Sequence, residues 1–252
     1  MKVGVFDSGI GGLTVVKSLL EHRFFEEIIY FGDTARVPYG IKDKNTIIRY
    51  AIEAVEFFKN FEIDLIIVAC NTVSAHALDE MREVALCPVV GVVEAGALAV
   101  NNALTCKDSN ILIIGTKATV SSKAYEKELT ALGYKNLDAK ATGLFVPLVE
   151  EEIYEGEMID AAFHHYFKEQ QSPDALVLGC THFPLISDAL QKYFGENTRL
   201  IHSGDAIAQQ LEKEFTFSKR FDTPELKFFA SENPEALRNI AKKWLNLELK
   251  EK

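Results

Sequence analysis

The chain repeats itself. Lys2-Val3-Gly4-Val5-Phe6-Asp7-Ser8 matches Asn110-Ile111-Leu112-Ile113-Ile114-Gly115-Thr116 in pattern, and Ile66-Ile67-Val68-Ala69-Cys70-Asn71-Thr72 matches Leu176-Val177-Leu178-Gly179-Cys180-Thr181-His182. The first pair is offset by 108 positions (111 minus 3) and the second by 110 (180 minus 70). Strand-to-helix units look broadly alike, so the first match alone says little. A cysteine closing the later strand of both halves, at nearly the same offset, points to duplication of one unit.

Each repeated run is short, β-branched and continuously apolar, which suits strands covered on both faces. Similar runs occur at Val3 to Phe6, Ile28 to Phe31, Leu65 to Ala69, Val89 to Val93, Ile111 to Ile114, Ala175 to Leu178, Arg199 to His202 and Leu226 to Phe229. Helical stripes lie between them. Ile47, Ile48, Ala51, Ile52, Val55 and Phe58 share one helix face, as do Leu185, Ile186, Ala189, Leu190 and Tyr193. Asn233-Pro234 is a cap followed by proline at the first helical position, with Leu237, Ile240, Ala241 and Trp244 continuing the stripe. This alternation predicts an α/β fold with largely parallel sheets. No low-complexity stretch or long linker marks a boundary, so the two halves are expected to meet in short connections near residues 93 to 97 and 203 to 207.

Charge narrows the partners. With 27 Lys+Arg against 37 Asp+Glu the formal net charge is -10, and no basic run exceeds two residues, so no nucleic-acid partner is expected. A small anion is still compatible, because one backbone nest can hold it. The longest apolar runs are far short of a membrane span, so no membrane partner is expected either, and the first apolar stretch is too short for a signal peptide. Cys70, Cys87, Cys106 and Cys180 are widely spaced, with no Cys-x-x-Cys, which predicts free thiols in a reducing, cytoplasmic location.

Ligands in open α/β sheets bind beyond the carboxyl ends of the strands, and several polar groups fall there. Asp7-Ser8-Gly9-Ile10-Gly11-Gly12 follows a strand and opens a helix, a place where backbone N–H groups favour an anion. Position 14 is Thr, so this is no dinucleotide fingerprint, and no Gly-Lys-Ser/Thr follows to make a P-loop. Cys87 and Cys106 read as ordinary residues. Cys70-Asn71-Thr72 and Cys180-Thr181-His182 differ, because each thiol ends an apolar strand and opens a helix-initiating segment, where a thiol pKa is expected to be depressed. Asp33, the Val37-Pro38-Tyr39-Gly40 turn, Thr116, Thr119, Ser121 and Glu150 read individually as caps or solvated loop residues.

Two such thiols admit three chemistries. One thiol with His182 makes a nucleophile and its base for acyl transfer. Cys70, Cys180 and His182 are zinc-type ligands but lack the usual close ligand pairs. Alternatively a thiolate on one face of a carbon takes a proton while a thiol on the other face returns one, inverting the centre with His182, Asp7 and Glu150 tuning the two sulfurs.

Five segments taken together are specific: Asp7-Ser8-Gly9-Ile10-Gly11-Gly12-Leu13-Thr14-Val15, Gly32-Asp33-Thr34-Ala35-Arg36-Val37-Pro38-Tyr39-Gly40, Ala69-Cys70-Asn71-Thr72, Val146-Pro147-Leu148-Val149-Glu150 and Gly179-Cys180-Thr181-His182-Phe183-Pro184-Leu185. With Ser203-Gly204 they span residues 7 to 204, and in this order they resemble the bacterial glutamate racemases, cofactor-independent members of the aspartate/glutamate racemase superfamily. His202 stands where an acidic residue is usual, and Ala141-Thr142-Gly143-Leu144 is less typical. The resemblance implies two similar three-layer α/β domains related by a pseudo-twofold axis, residues 1-92 with 207-252 and residues 93-206, with the active site in the cleft between them. It implies interconversion of L- and D-glutamate for peptidoglycan synthesis, with no cofactor and no metal. Carried over, Cys70 takes the α-proton from D-glutamate and Cys180 from L-glutamate. Asp7 assists Cys70, while His182 and Glu150 assist Cys180. Asp7, Ser8, Pro38, Tyr39, Gly40, Asn71, Thr72, Thr116, Thr119, Thr181 and His182 match substrate-holding positions.

Three rivals stay open on the sequence: a sister enzyme acting on aspartate, a thiol hydrolase using Cys180 and His182 with Cys70 structural, and a binding protein that has lost catalysis. The resemblance implies a homodimer without fixing its arrangement. Trp244, the only tryptophan, reads as core packing, or as a cover on the domain junction if the last helix lies there.

Overall fold

The computed structural model describes residues 1–217 and 219–246. Ser218 and residues 247–252, the end of the expected first domain, lie outside the described residues. Five strands form one sheet: β1 (Lys2–Asp7), β2 (Glu27–Gly32), β3 (Leu65–Val68), β4 (Val89–Gly91) and, from late in the chain, β9 (Glu225–Ala230). Four form a second: β5 (Asn110–Gly115), β6 (Asn136–Ala141), β7 (Ala175–Gly179) and β8 (Arg199–His202). Pairing within both is parallel. The strand order is β4-β3-β1-β2-β9 in the first and β6-β5-β7-β8 in the second. Read from its other edge, the second order is β8-β7-β5-β6, the first sheet's order without β9. The duplication in the sequence is therefore a duplication of topology.

The unbroken apolar runs are explained by two-sided burial. Leu65 and Ile67 of β3 enter one core cluster while Ile66 and Val68 enter another. Ile111 and Ile113 of β5 face one cluster while Leu112 and Ile114 face its opposite. Successive side chains point to opposite faces, and helices cover both, so no position can be polar. Each half thus has three layers.

Four local expectations need correction. The run at Val89 stops being a strand at Gly91, and Val92 opens the helix Val92–Ala103. Ser74 Oγ there accepts the Val93 N–H at 3.1 Å. Strand β6 has no counterpart among the expected strands, because it is an edge strand paired only to β5 and its Asp138 and Lys140 break any apolar run. The stripe at Leu185 is split between a 3₁₀ turn, Phe183–Ile186, and a helix, Ser187–Phe194. Finally, the two expected junctions are helical rather than short loops. Helix Val92–Ala103 sends Val92 and Ala95 into the first sheet's core and Val93, Ala97 and Val100 into the second's. Helix Ser203–Glu214 follows β8 yet packs Ala206, Ile207 and Leu211 on the first sheet. The cap at Asn233 forms as read, with its side chain accepting the Ala236 N–H at 3.2 Å. Trp244 on that last helix packs against core residues of both halves.

Candidate active site

The carboxyl ends of β1 and β3 in one sheet, and of β5 and β7 in the other, converge on one cavity of about 390 Å³, a size suited to a small molecule. Its walls include Ser8, Pro38, Tyr39, Gly40, Cys70, Asn71, Thr72, Thr116, Glu150, Cys180, Thr181 and His182. Of the residues expected to act on or hold a substrate, only Asp7 and Thr119 stand behind the wall. Cys87 and Cys106 are elsewhere, partly and largely exposed respectively.

Glycines let the halves approach. A Cβ at Gly11 would lie 2.3 Å from Thr181 Oγ1 and 2.6 Å from His182 Nδ1, and one at Gly40 would lie 2.5 Å from Thr116 Cβ. A side chain at either position would force the facing side chains of the other half to shift. Two N–H groups of the glycine loop turn inward. Gly9 N–H donates to Asp7 Oδ2 at 2.9 Å and Gly12 N–H supports the same carboxylate, so the nest is built around Asp7 itself. Asp7 is fully buried. Burial pushes its pKa up, against the opposing pull of charge on His182 and of these donors.

Cys70 follows β3 and precedes helix Asn71–Val84, its carbonyl accepting the Ser74 N–H at 2.9 Å. The expected depression of its pKa is not found. Burial, and then the Asp7 carboxylate, push the thiol up to about 12, over the opposing bonds from Ser8 and the Val73 N–H. At a sulfur this buried those two effects exceed what one helix terminus supplies. As a thiol it donates to Ser8 Oγ at 3.4 Å.

Cys180 has different company. His182 Nδ1 lies 3.7 Å from its sulfur, and His182 Nε2 lies 3.1 Å from Glu150 Oε1. Burial alone lowers the imidazole pKa, but Cys180, Glu150 and Asp7 outweigh it and hold His182 at about 10. One ring nitrogen is aimed at the sulfur and the other at Glu150. Glu150 is brought in by the short helix Phe145–Glu150.

Hydroxyls and amides tie the halves together. Thr72 Oγ1 lies 2.9 Å from Thr116 Oγ1 and 3.1 Å from Thr119 Oγ1. Thr181 Oγ1 donates to Asp7 Oδ1 at 3.3 Å, and Thr14 Oγ1 donates to the Thr181 carbonyl at 2.8 Å. The Asn71 side chain is committed. It accepts from Tyr125 O–H at 2.7 Å and donates to Ser203 Oγ at 3.3 Å, which leaves its backbone N–H as its offering to a ligand.

Asp33 is not the solvated loop residue it resembles in sequence. It is fully buried, accepts from the Tyr39 hydroxyl, and accepts from Arg36 Nε at 2.6 Å. It thereby fixes the Tyr39-Gly40 wall, a role no local pattern announces because its partners are set by the tertiary fold. Sequence reading also missed Val37, Ile41, Lys117, Ala141, Gly143, Val146 and Pro147 as lining residues. Of these only Lys117 carries charge, and its place directly after Thr116 was the available signal.

Residues 14–211 match the family model described as Asp/Glu/Hydantoin racemase. A glutamate racemase of a Nitratiruptor species is 61% identical over 97% of this chain and 96% of its own. The crystal structure of glutamate racemase from Campylobacter jejuni subsp. jejuni superimposes with a TM-score of 0.97 at 55% identity, covering 99% of this chain and 100% of that one. Glutamate racemase from Francisella tularensis subsp. tularensis, solved in complex with D-glutamate, does so with a TM-score of 0.86 at 34% identity, covering 99% and 95%. By sequence along nearly its whole length, by topology and by family model, the chain belongs to the Asp/Glu/Hydantoin racemase family and, within it, to the glutamate racemases.

Proposed function

We propose that the cavity interconverts L- and D-glutamate by two-thiol proton transfer at Cα, supplying D-glutamate for peptidoglycan. One observation carries the reading. Cys70 and Cys180, at the ends of equivalent strands β3 and β7, line the same cavity, each with its own polar partners. The D-glutamate bound by the Francisella tularensis relative supports the substrate class.

The step balances without a co-reactant. One sulfur, as thiolate, takes the α-proton, so a Cα–H bond breaks and an S–H bond forms. The other thiol gives its proton to the opposite face, and its S–H bond becomes the new Cα–H bond. Cys180 receives the proton from L-glutamate and Cys70 returns one; the reverse run starts at Cys70. Asp7 acts behind Cys70, and His182 with Glu150 acts beside Cys180. The difficult feature is charge building on the α-carboxylate. Backbone N–H groups and the hydroxyls of Ser8, Thr72, Thr116 and Thr181 are suited to stabilise it in a site that excludes water, with Pro38, Tyr39 and Gly40 shaping the wall and Thr119 supporting Thr72 and Thr116. Hydroxyl contacts cross the cleft, and their opening and closing fits two domains of residues 1-92 with 207-252 and 93-206. On the family likeness we take the protein to work as a homodimer in the cytoplasm. Among the described residues, no helix is long and apolar enough to cross a membrane.

The test is L-glutamate in D₂O with chelator-treated protein, followed by circular dichroism and deuterium at Cα. The expected result is decay of the signal to zero, with deuterium in D-glutamate and, early on, little in recovered L-glutamate. Decay on L-aspartate in preference to L-glutamate would favour the sister activity. Product amino acid without solvent deuterium would remove the two-thiol mechanism.

A further inference from the structure

A substrate with two carboxylates meets an unwelcoming field here. The chain carries a net charge of -10, and Glu150 presents a carboxylate on the cavity wall with its side chain 40% exposed. His182, the cation deeper in the wall, is occupied by Glu150 and Cys180. Of the nearby cations, Arg36 is paired with Asp33 and Glu53 and Lys44 with Glu80, while Lys42 lies over the Tyr50 ring and outside the cavity lining. Lys117 differs from all three. It lines the cavity, is exposed, and begins the helix Lys117–Ser122 directly after Thr116. Gly40 packs on Thr116, and its neighbour Ile41, 76% exposed, also lines the cavity. This is the end that opens to solvent. Among the described residues no carboxylate lies within ion-pair reach of Lys117.

We propose that Lys117 is a substrate-recognition residue: its ammonium, at the open end of the cavity, receives the side-chain carboxylate of the entering acidic amino acid. The inference rests on the glutamate reading above and deepens it. A cation at the mouth offsets repulsion by Glu150 and by the net charge. It also orients the ligand, because an amino acid held there by its distal carboxylate leads with its α-carbon toward the two sulfurs. Gly40 and Thr116 add neutral donors beside it, but neither distinguishes an anion from an amide as a full charge does.

Steady-state racemisation of glutamate by the full-length protein, at low and high salt, tests this in Lys117→Met, Lys117→Glu and Lys117→Arg. At low salt KM should rise about fivefold in Lys117→Met and further in Lys117→Glu, and should stay within about twofold in Lys117→Arg, since one exposed charge pair is worth that order. The loss should fall on KM rather than kcat, and the gap between the unmodified protein and Lys117→Met should narrow as salt screens the charge. Equal KM in the unmodified protein, Lys117→Met and Lys117→Glu overturns the inference. So does a parallel fall in kcat and in thermal midpoint, which marks a merely structural residue. An unmodified protein that racemises glutamate with silent variants sinks only the role of Lys117. One that does not racemise glutamate sinks the functional reading and this inference with it.

Discussion

Cys70 and Cys180 close equivalent strands of one duplicated sheet, yet their surroundings diverge within a residue or two of the sulfur. Cys70 has Ser8 and, behind it, the buried Asp7 carboxylate, which together with burial hold its proton on up to about 12. Cys180 has a protonated imidazole, kept charged to about 10 and anchored by Glu150. Duplication supplied two thiols at one cavity, and divergence between the halves (Asp7 against Gly115, and Thr72 against His182) gave them opposite electrostatic partners. A racemase must run both ways, so each thiol must serve as acid and as base. The asymmetry favours retention of a proton on Cys70 and on His182.

The comparison breaks most completely if either sulfur is dispensable. Cys70→Ser and Cys180→Ser should each lower racemisation by at least about 10³-fold, because a hydroxyl is a far weaker acid than a thiol, while calorimetry still registers glutamate binding. Normal turnover by either variant would end the two-thiol account. Next in size are the partners. Asp7→Asn and His182→Asn should each cost on the order of 10²-fold in kcat. The two losses should not be alike in pH profile, since only His182→Asn removes a cation.

A smaller effect sharpens the same contrast through stability. His182 is raised above its ordinary 6.5, so its contribution is full below that pH and is lost as pH rises toward about 10. Cys70 is raised above 9.0, so folding is further disfavoured as pH climbs from 9 toward about 12. Urea midpoints should therefore fall between pH 7 and pH 10, and His182→Asn should flatten that fall. An unchanged slope in the variant would assign the pH sensitivity elsewhere. Smallest is the effect of the bridge between the halves. Trp244 touches both cores, and Trp244→Ala should cost about 2 kcal/mol by chemical denaturation, below the range for fully buried tryptophan because it is partly exposed. It should also change turnover; unchanged kcat would show that the junction it covers does not govern closure.

Legibility followed the range of each interaction. Strands with two buried faces wrote themselves as unbroken apolar runs, and only β6, polar at an edge, escaped. The glycine loop was legible as a site element but not as a cradle for Asp7, because its ligand is its own side chain. Asp33 looked like a loop residue because the Tyr39 and Arg36 bonds that bury it depend on how the following turn folds back. Asn71 looked like a substrate amide, but Tyr125 and Ser203 claim its side chain from 54 and 132 positions away.

Periodicity and strand-end chemistry are local properties, so the α/β class, the duplication and the cysteine that ends the later strand of each half could be read from the residues alone. What depended on tertiary structure was the burial that holds the proton on Cys70 and the placing of Lys117 on the cavity wall. Those depend on how the two halves pack together, and electrostatic energy is set by distance and solvent exclusion rather than by order along the chain.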